Sequence, residues 1–159
     1  MNIFILDSDP ILSVQYYVNK HVVKMILETA QLLSTAHRIL DNNDDPVLYK
    51  KTHCNHPCAK WVRETAGNYR YAYQLFKELS SEYHYRYDKQ HLSWTKLKDI
   101  LKEPPKNISS NMEITPFALA MPEQYKSSDA VNAYRAYYNG EKRHMFIWKK
   151  RPIPYWVVQ

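Results

Sequence analysis

A histidine and a glutamate seven residues apart, His21 and Glu28, carry the clearest chemical potential in this sequence. They lie in NKHVVKMILETAQLLSTAHRIL, residues 19–40, which reads as a helix with Asn19 as its N-cap. On a period of 3.6 residues His21, Lys24, Glu28, Gln31 and Thr35 fall in one polar stripe, and two turns separate the imidazole from the carboxylate. Nearly every other position is apolar, Val22, Val23, Met25, Ile26 and Leu27 among them. A helix apolar around most of its circumference is buried on most sides. The stripe is therefore expected to line a cleft, the setting in which carboxylates move protons and stabilise cations. The same pattern also fits a structural i,i+4 pair between Lys24 and Glu28.

A second group of reactive side chains sits in THCNHPCAKW, residues 52–61. His53, Cys54, His56 and Cys58 are all possible metal ligands, yet their spacing matches no standard closed zinc site. Asn55 or His56 as N-cap with Pro57 in the first turn explains the motif as a helix start, and leaves His56 as a polar group at the cleft edge. No metal and no cofactor is expected.

A third group mixes rings with cations near the C-terminal end. Tyr134, Arg135, Tyr138, Lys142 and Arg143 fall in NAYRAYYNGEKRHMFIWKK, and Arg63 and Arg70 share one side of an earlier helix. Cations neutralise phosphates and rings stack on bases, so these residues with Lys24 and His56 form the candidate nucleic-acid face.

The elements that must position these groups are helical, and the expected fold class is all-α, a bundle around the buried central helix. Ile3 to Leu6 forms a short apolar run, a brief strand or an extended arm, and Pro10 opens a helical turn. Trp61, Val62, Tyr69, Ala72, Tyr73, Phe76, Leu79 and Tyr83 recur at threes and fours, predicting one long helix over about 57–87, with Gly67 marking a bend or a close contact. The end of that helix, EYHYRYDKQH, dense in Tyr, His and Arg, reads as a solvated amphipathic terminus. A shorter helix is predicted over about 94–102, and ITPFALAMP, residues 114–122, as an extended core-facing segment. Ser127 or Ser128 caps a last helix, about 129–148, with Gly140 kinking or ending it, and the tail RPIPYWVVQ is expected to pack as a strap.

Composition narrows the function classes. The 159 residues suit a single domain, and a net charge of +6 with 14 Tyr and four Trp favours a polyanionic partner. Two Gly against nine Pro, and no G-x-x-x-x-G-K-[ST] or G-x-G-x-x-G, argue against the common nucleotide-phosphate loops. No signal-like or membrane-spanning run is present, so a soluble, cytoplasmic protein with reduced Cys54 and Cys58 is expected.

On its landmarks NKHVVKMILETAQLLSTAHR, THCNHPCAKWVRET, PFALAMPEQYK, AYRAYYNGEKR and the closing P-x-P-Y-W, the chain resembles a protein recurrent in tailed-phage genomes. More distantly it is similar to the phage-type pyrimidine-dimer DNA glycosylases, small all-helical enzymes with associated abasic-site lyase activity. In that family the catalytic Glu follows a His by seven residues in the first main helix, as Glu28 follows His21 here. A later His opening a second long helix resembles His56, and a Tyr-rich basic segment resembles AYRAYYNGEK. The resemblance implies double-stranded DNA as partner and the N-terminal α-amine as nucleophile, offered here by Met1, or by Asn2 if Met1 is removed. Two departures stand out: where the family keeps arginines flanking its Glu, this chain has Leu27 and Gln31. The alternative reading is a phage nucleic-acid- or nucleotide-binding protein without this chemistry, acting in modified-nucleotide metabolism or counter-defence in the host cytoplasm.

Overall fold

A computed structural model describes residues 1–159 and is all-α, with six helices and no strand. They are α1 (Pro10–Gln15), α2 (Asn19–Asp41), α3 (Pro57–Val62), α4 (Ala66–Tyr87), α5 (Leu92–Leu97) and α6 (Ala130–Glu141). Short 3-10 turns flank α6 at Glu123–Tyr125 and Arg143–Met145. No helix is long and apolar enough to cross a membrane.

The core is one cluster of 29 buried residues that draws on the arm Ile3–Leu6, α2, α4 and α6 together. The arm is extended and at most 3% exposed, but it pairs with no strand. Its backbone polar groups are satisfied by side chains, as burial requires. Phe4 N–H donates to the Tyr17 hydroxyl (3.1 Å), which donates to Phe4 O (2.8 Å). Leu6 N–H donates to Ser13 Oγ (3.0 Å), and Leu6 O accepts from Arg135 Nε (2.8 Å). The chain's first residues are thereby threaded along the central helix.

Helix α2 covers the predicted stretch, with two corrections. Asn19 is its first residue, not its cap; Val18 occupies the cap position and makes no side-chain capping bond. The Asn19 side chain is drawn away instead, accepting from Arg86 Nη1 (3.0 Å) and Lys149 N–H (2.8 Å). Nor is α2 buried on most sides, since Val23 and Leu27 are 39% and 40% exposed beside the exposed Lys24.

The long helix expected over 57–87 is two helices. Arg63–Thr65 breaks it because Thr65 adopts an extended conformation and caps α4, its Oγ1 accepting from Asn68 N–H (3.0 Å). Asn68 Nδ2 then donates to Trp61 O (2.9 Å), a carbonyl that also accepts from Glu64 N–H (3.2 Å). Gly67 serves a close contact rather than a bend. A Cβ there would lie 2.3 Å from Met112 O, while Gly67 N–H donates to Asn111 O (3.0 Å). We expect Gly67→Ala to push the 109–113 loop off α4 and destabilise the protein by about 1–3 kcal/mol, lowering Tm by roughly 2–4 °C per kcal/mol. A thermal melt of the variant checks this.

The end of α4 is amphipathic, with His84, Tyr85, Asp88, Lys89 and Gln90 exposed, but its inner face carries buried charge. Glu82 and Arg86 are 4% and 0% exposed and paired at 2.8 Å, and Arg151 Nη2 joins Glu82 at 2.9 Å. Arg86 also donates to Tyr17 O (2.8 Å) and Gln15 O (3.1 Å), so it closes the C-terminal end of α1. The helix predicted over 94–102 is the shorter α5, capped by His91. Residues 114–122 are extended, as read, and pack Phe117 to Met121 against the core.

The last helix is capped by Asp129, whose Oδ1 accepts from Asn132 N–H (3.1 Å), and ends at Glu141 rather than 148. Tertiary bonds claim the rest: Ile147 O accepts from Asn19 N–H (2.9 Å) and Trp148 Nε1 donates to Tyr16 O (2.8 Å), which a continuing helix could not offer. Gly140 meets the Tyr125 ring rather than kinking the helix. The tail packs as a strap, with Asn139 bonded to Trp156 O (3.3 Å) and Val158 N–H (2.9 Å).

Candidate active site at the N-terminal amine

The threading of the arm along α2 ends in one contact. The α-amine of Met1 lies 2.7 Å from Glu28 Oε1. Glu28 is 14% exposed at its side chain, and its second oxygen, Oε2, is buried with no hydrogen-bond partner. The Met1 side chain is only 4% exposed although the residue as a whole is half-buried, so what Met1 shows to solvent is chiefly backbone. Glu28 therefore pairs with the chain's beginning, 27 residues away, and Lys24 on the preceding turn forms no ion pair.

Asn2 is held directly beneath. Its Nδ2 donates to Ala120 O (2.7 Å), and its Oδ1 faces the Tyr134 hydroxyl (3.1 Å) and Cys58 Sγ (3.7 Å). Tyr134 is fully buried; its one hydroxyl proton is shared between Ala118 O (2.6 Å) and Asn2 Oδ1 (3.1 Å), and its oxygen accepts from Ala120 N–H (3.2 Å). Burial pushes the Cys58 thiol up to about 11, so it stays protonated and a donor.

His21 does not touch Glu28. It is 5% exposed, stacks on Phe4 (4.5 Å between ring centres) and bonds through Nδ1 to the Tyr138 hydroxyl (2.7 Å). Burial first, and then the positive charges of Lys142, Lys24, His144 and the N-terminal amine, lower its pKa to about 3. His21 is thus neutral in a basic neighbourhood. His56 senses both the amine and Glu28: its Nδ1 caps α3, accepting from Cys58 N–H (3.0 Å), and burial, the amine and His53 lower its pKa against the pull of Glu28.

The lowered histidines make stability depend on pH. The unfolded chain protonates His21 near pH 6.5, whereas the folded protein holds it neutral down to about pH 3. The unfolded state therefore binds more protons across that window, so stability is full above pH 6.5 and falls with pH below it. His37, His56 and His91 shift in the same direction. We expect a loss of roughly 1 kcal/mol per pH unit from His21 alone. Thermal melts at pH 7 and pH 5 check this, a flat profile being the contrary result.

The remaining candidates are dispersed. Tyr134 and Tyr138 are fully buried and bonded internally, so neither ring is open to a base. Arg135 fills a cage of Tyr16, Tyr155 and Trp156 and pairs with Asp7 at 3.4 Å, which makes it a staple between arm and strap rather than a phosphate ligand. Arg63 Nη2 donates to Cys54 O (2.7 Å), and Arg70 pairs with Glu103 at the surface (3.4 Å). Arg143 is exposed and donates to Val158 O (2.6 Å), and Lys142 packs over the Tyr137 ring. Of the predicted nucleic-acid ligands, Lys24 lies one turn from Glu28 on α2 and His56 senses both Glu28 and the amine, while Lys142 bears on His21. Sequence reasoning missed His144, and it missed Cys58, Ala120 and Tyr134 as the support of Asn2. Cys58 and Tyr134 lie 76 residues apart, and no local spacing connects them.

The cleft expected along α2 is not a deep one. The roomiest hollows lie elsewhere, a polar one of about 480 Å³ beside Arg38 and Lys50 and one of about 430 Å³ between Pro116–Leu119 and Ser127–Val131. Neither Met1 nor Glu28 lines them. No hollow of that size opens at the amine–carboxylate pair, which is largely buried. Chemically, Glu28 can hold an α-amine, take its proton, and keep a second anionic oxygen free for a developing cation.

Compared with protein-family models, curated proteins and solved structures, the chain matches none.

Proposed function

We propose that this protein is a DNA N-glycosylase with abasic-site lyase activity, in which the Met1 α-amine is the nucleophile and Glu28 its proton acceptor. The observation that carries the reading is the 2.7 Å contact between that amine and Glu28 Oε1, with Oε2 unpartnered. The spacing of His21 and Glu28, the positive charges around His21 and the resemblance to the phage-type glycosylases support it. The resemblance is an analogy, and the contact is its independent support.

The chemistry follows from the groups present. α-Amines as a class lose their proton near pH 8, well below lysine, which makes them usable nucleophiles at physiological pH. The neutral amine attacks the sugar C1′, the C1′–base bond breaks, and the base leaves with a proton. Opening of the sugar ring gives a protonated imine between C1′ and the Met1 nitrogen. Loss of a C2′ proton then expels the 3′-phosphate by β-elimination, and water releases the protein. Glu28 accepts the amine proton at the start and gives it to O4′ as the sugar ring opens; the carboxylate so restored stabilises the cationic imine. Lys24, Lys142, His56 and His144 hold the flanking phosphates, and the target nucleotide leaves the stack to reach the site.

Incubating the protein with a duplex carrying one abasic site, and with duplexes carrying damaged bases, tests this. Strand scission on the 3′ side of the abasic site is expected. Binding without scission on every duplex refutes it and favours a non-catalytic binding module in which Met1–Glu28 is a structural tie. That second reading is supported by the want of a base-sized hollow at the pair. Thermal stabilisation by a free nucleotide but not by DNA identifies a nucleotide-binding protein instead.

A further inference from the structure

We propose that Asn2 is a positioning residue, a latch that sets the register of the chain end so that the amine of a retained Met1, and not that of Asn2, meets Glu28. The inference rests on the lyase reading for its catalytic consequence, but the latch itself is a matter of geometry. Both ends of the Asn2 amide are matched in one orientation only: the NH2 group donates to Ala120 O (2.7 Å), and the oxygen faces the Tyr134 hydroxyl (3.1 Å) and the Cys58 thiol (3.7 Å). These partners come from α3, the 114–122 segment and α6, three parts of the fold already tied to one another through Trp61 Nε1–Thr115 O and through Tyr134, so the Asn2 side chain is received by a prebuilt seat. Tyr134 is itself immobilised by Ala118 O and Ala120 N–H.

Sliding is blocked from the other side as well. Ile3 to Leu6 are at most 3% exposed and bonded through Phe4 and Leu6 to Tyr17, Ser13 and Arg135. Removing Met1 would withdraw the amine by one residue, about 3.8 Å between Cα atoms. With the Asn2 side chain latched and the arm buried, the new amine has no slack with which to recover its place on Glu28. The carboxylate would then keep neither oxygen partnered.

Two measurements separate the latch from the reaction. The first is competitive acylation of the α-amine, read by mass spectrometry, on the wild type, Asn2→Leu and Asn2→Asp, with intact mass showing whether Met1 is present. Leucine keeps the bulk without hydrogen bonds; aspartate keeps the shape but loses the donor to Ala120 O. The Met1 amine is expected to acylate about 10-fold more slowly in the wild type than in Asn2→Leu, with Asn2→Asp between them. Equal rates in folded wild type and Asn2→Leu overturn the latch whatever the protein catalyses. The second compares scission of abasic duplex by the Met1-starting chain and by a chain released from a fusion so that Asn2 is first. A loss of at least about 30-fold in kcat with KM little changed is expected for the Asn2-starting chain, and a smaller loss for Asn2→Leu. Equal or faster scission by the Asn2-starting chain overturns the proposal and leaves the lyase reading standing. Scission by neither chain, with slow wild-type acylation, removes the lyase reading and the catalytic role while the latch survives.

Discussion

Glu28→Gln is expected to reduce strand scission at an abasic site by at least roughly 100-fold, the range seen when a positioned proton acceptor or charge stabiliser is lost. Glutamine has the shape of glutamate, and its carbonyl can still accept a hydrogen bond from the amine that now lies 2.7 Å away. What it cannot do is take the proton or oppose a cationic sugar. The substitution therefore isolates charge from geometry. The fold should survive with a loss of about 1–3 kcal/mol, the usual worth of a hydrogen bond to a charged group. Affinity for DNA should be unchanged or slightly higher, because an anion is removed from beside the phosphates. Scission kinetics and salt-dependent binding measured on the same variant distinguish these effects. Loss of binding together with scission would mean that the residue supports structure only.

Blocking the amine should be more severe still. An N-terminal extension of a few residues, or Nα-acetylation, converts the Met1 nitrogen into an amide with no nucleophilic lone pair. Scission is expected to fall to background, roughly 1000-fold or more, since covalent attack by this nitrogen begins the sequence. The same tag placed after Gln159 should be harmless, because the last residues are exposed and lie at the end of the strap. Full activity in the extended protein would show that another group is the nucleophile.

Much of the scaffold was legible in the residue pattern. Helix α2, the extended arm, the His56–Pro57 helix start and the strap all follow from local chemistry: periodicity, proline position and capping groups. The failures share a cause, which is that tertiary bonds decided what local pattern left open. Thr65 breaks a continuous apolar stripe because Asn68 is needed for Trp61 O and Thr115. Residues 143–148 leave the helix because Asn19 and Tyr16 take their bonds from Ile147 and Trp148. Rings alternating with cations looked like a nucleic-acid face, yet Tyr134 and Tyr138 are core residues and Arg135 is caged by aromatic rings. Composition cannot tell an aromatic that stacks on a ligand from one that anchors the interior. Conversely, the partner of Glu28 was legible only as a proposition about the chain's first residue. His21, on the same face two turns earlier, turned out to serve Tyr138 and Phe4.

The central claim is that the first nitrogen of this chain forms a covalent bond to an abasic sugar. Borohydride added during reaction with an abasic duplex reduces an imine to a stable amine, and mass spectrometry of the digested adduct locates the attached atom. The expected product carries the reduced sugar on the Met1 α-nitrogen. A sugar found on a lysine side chain, or no adduct at all, contradicts the account.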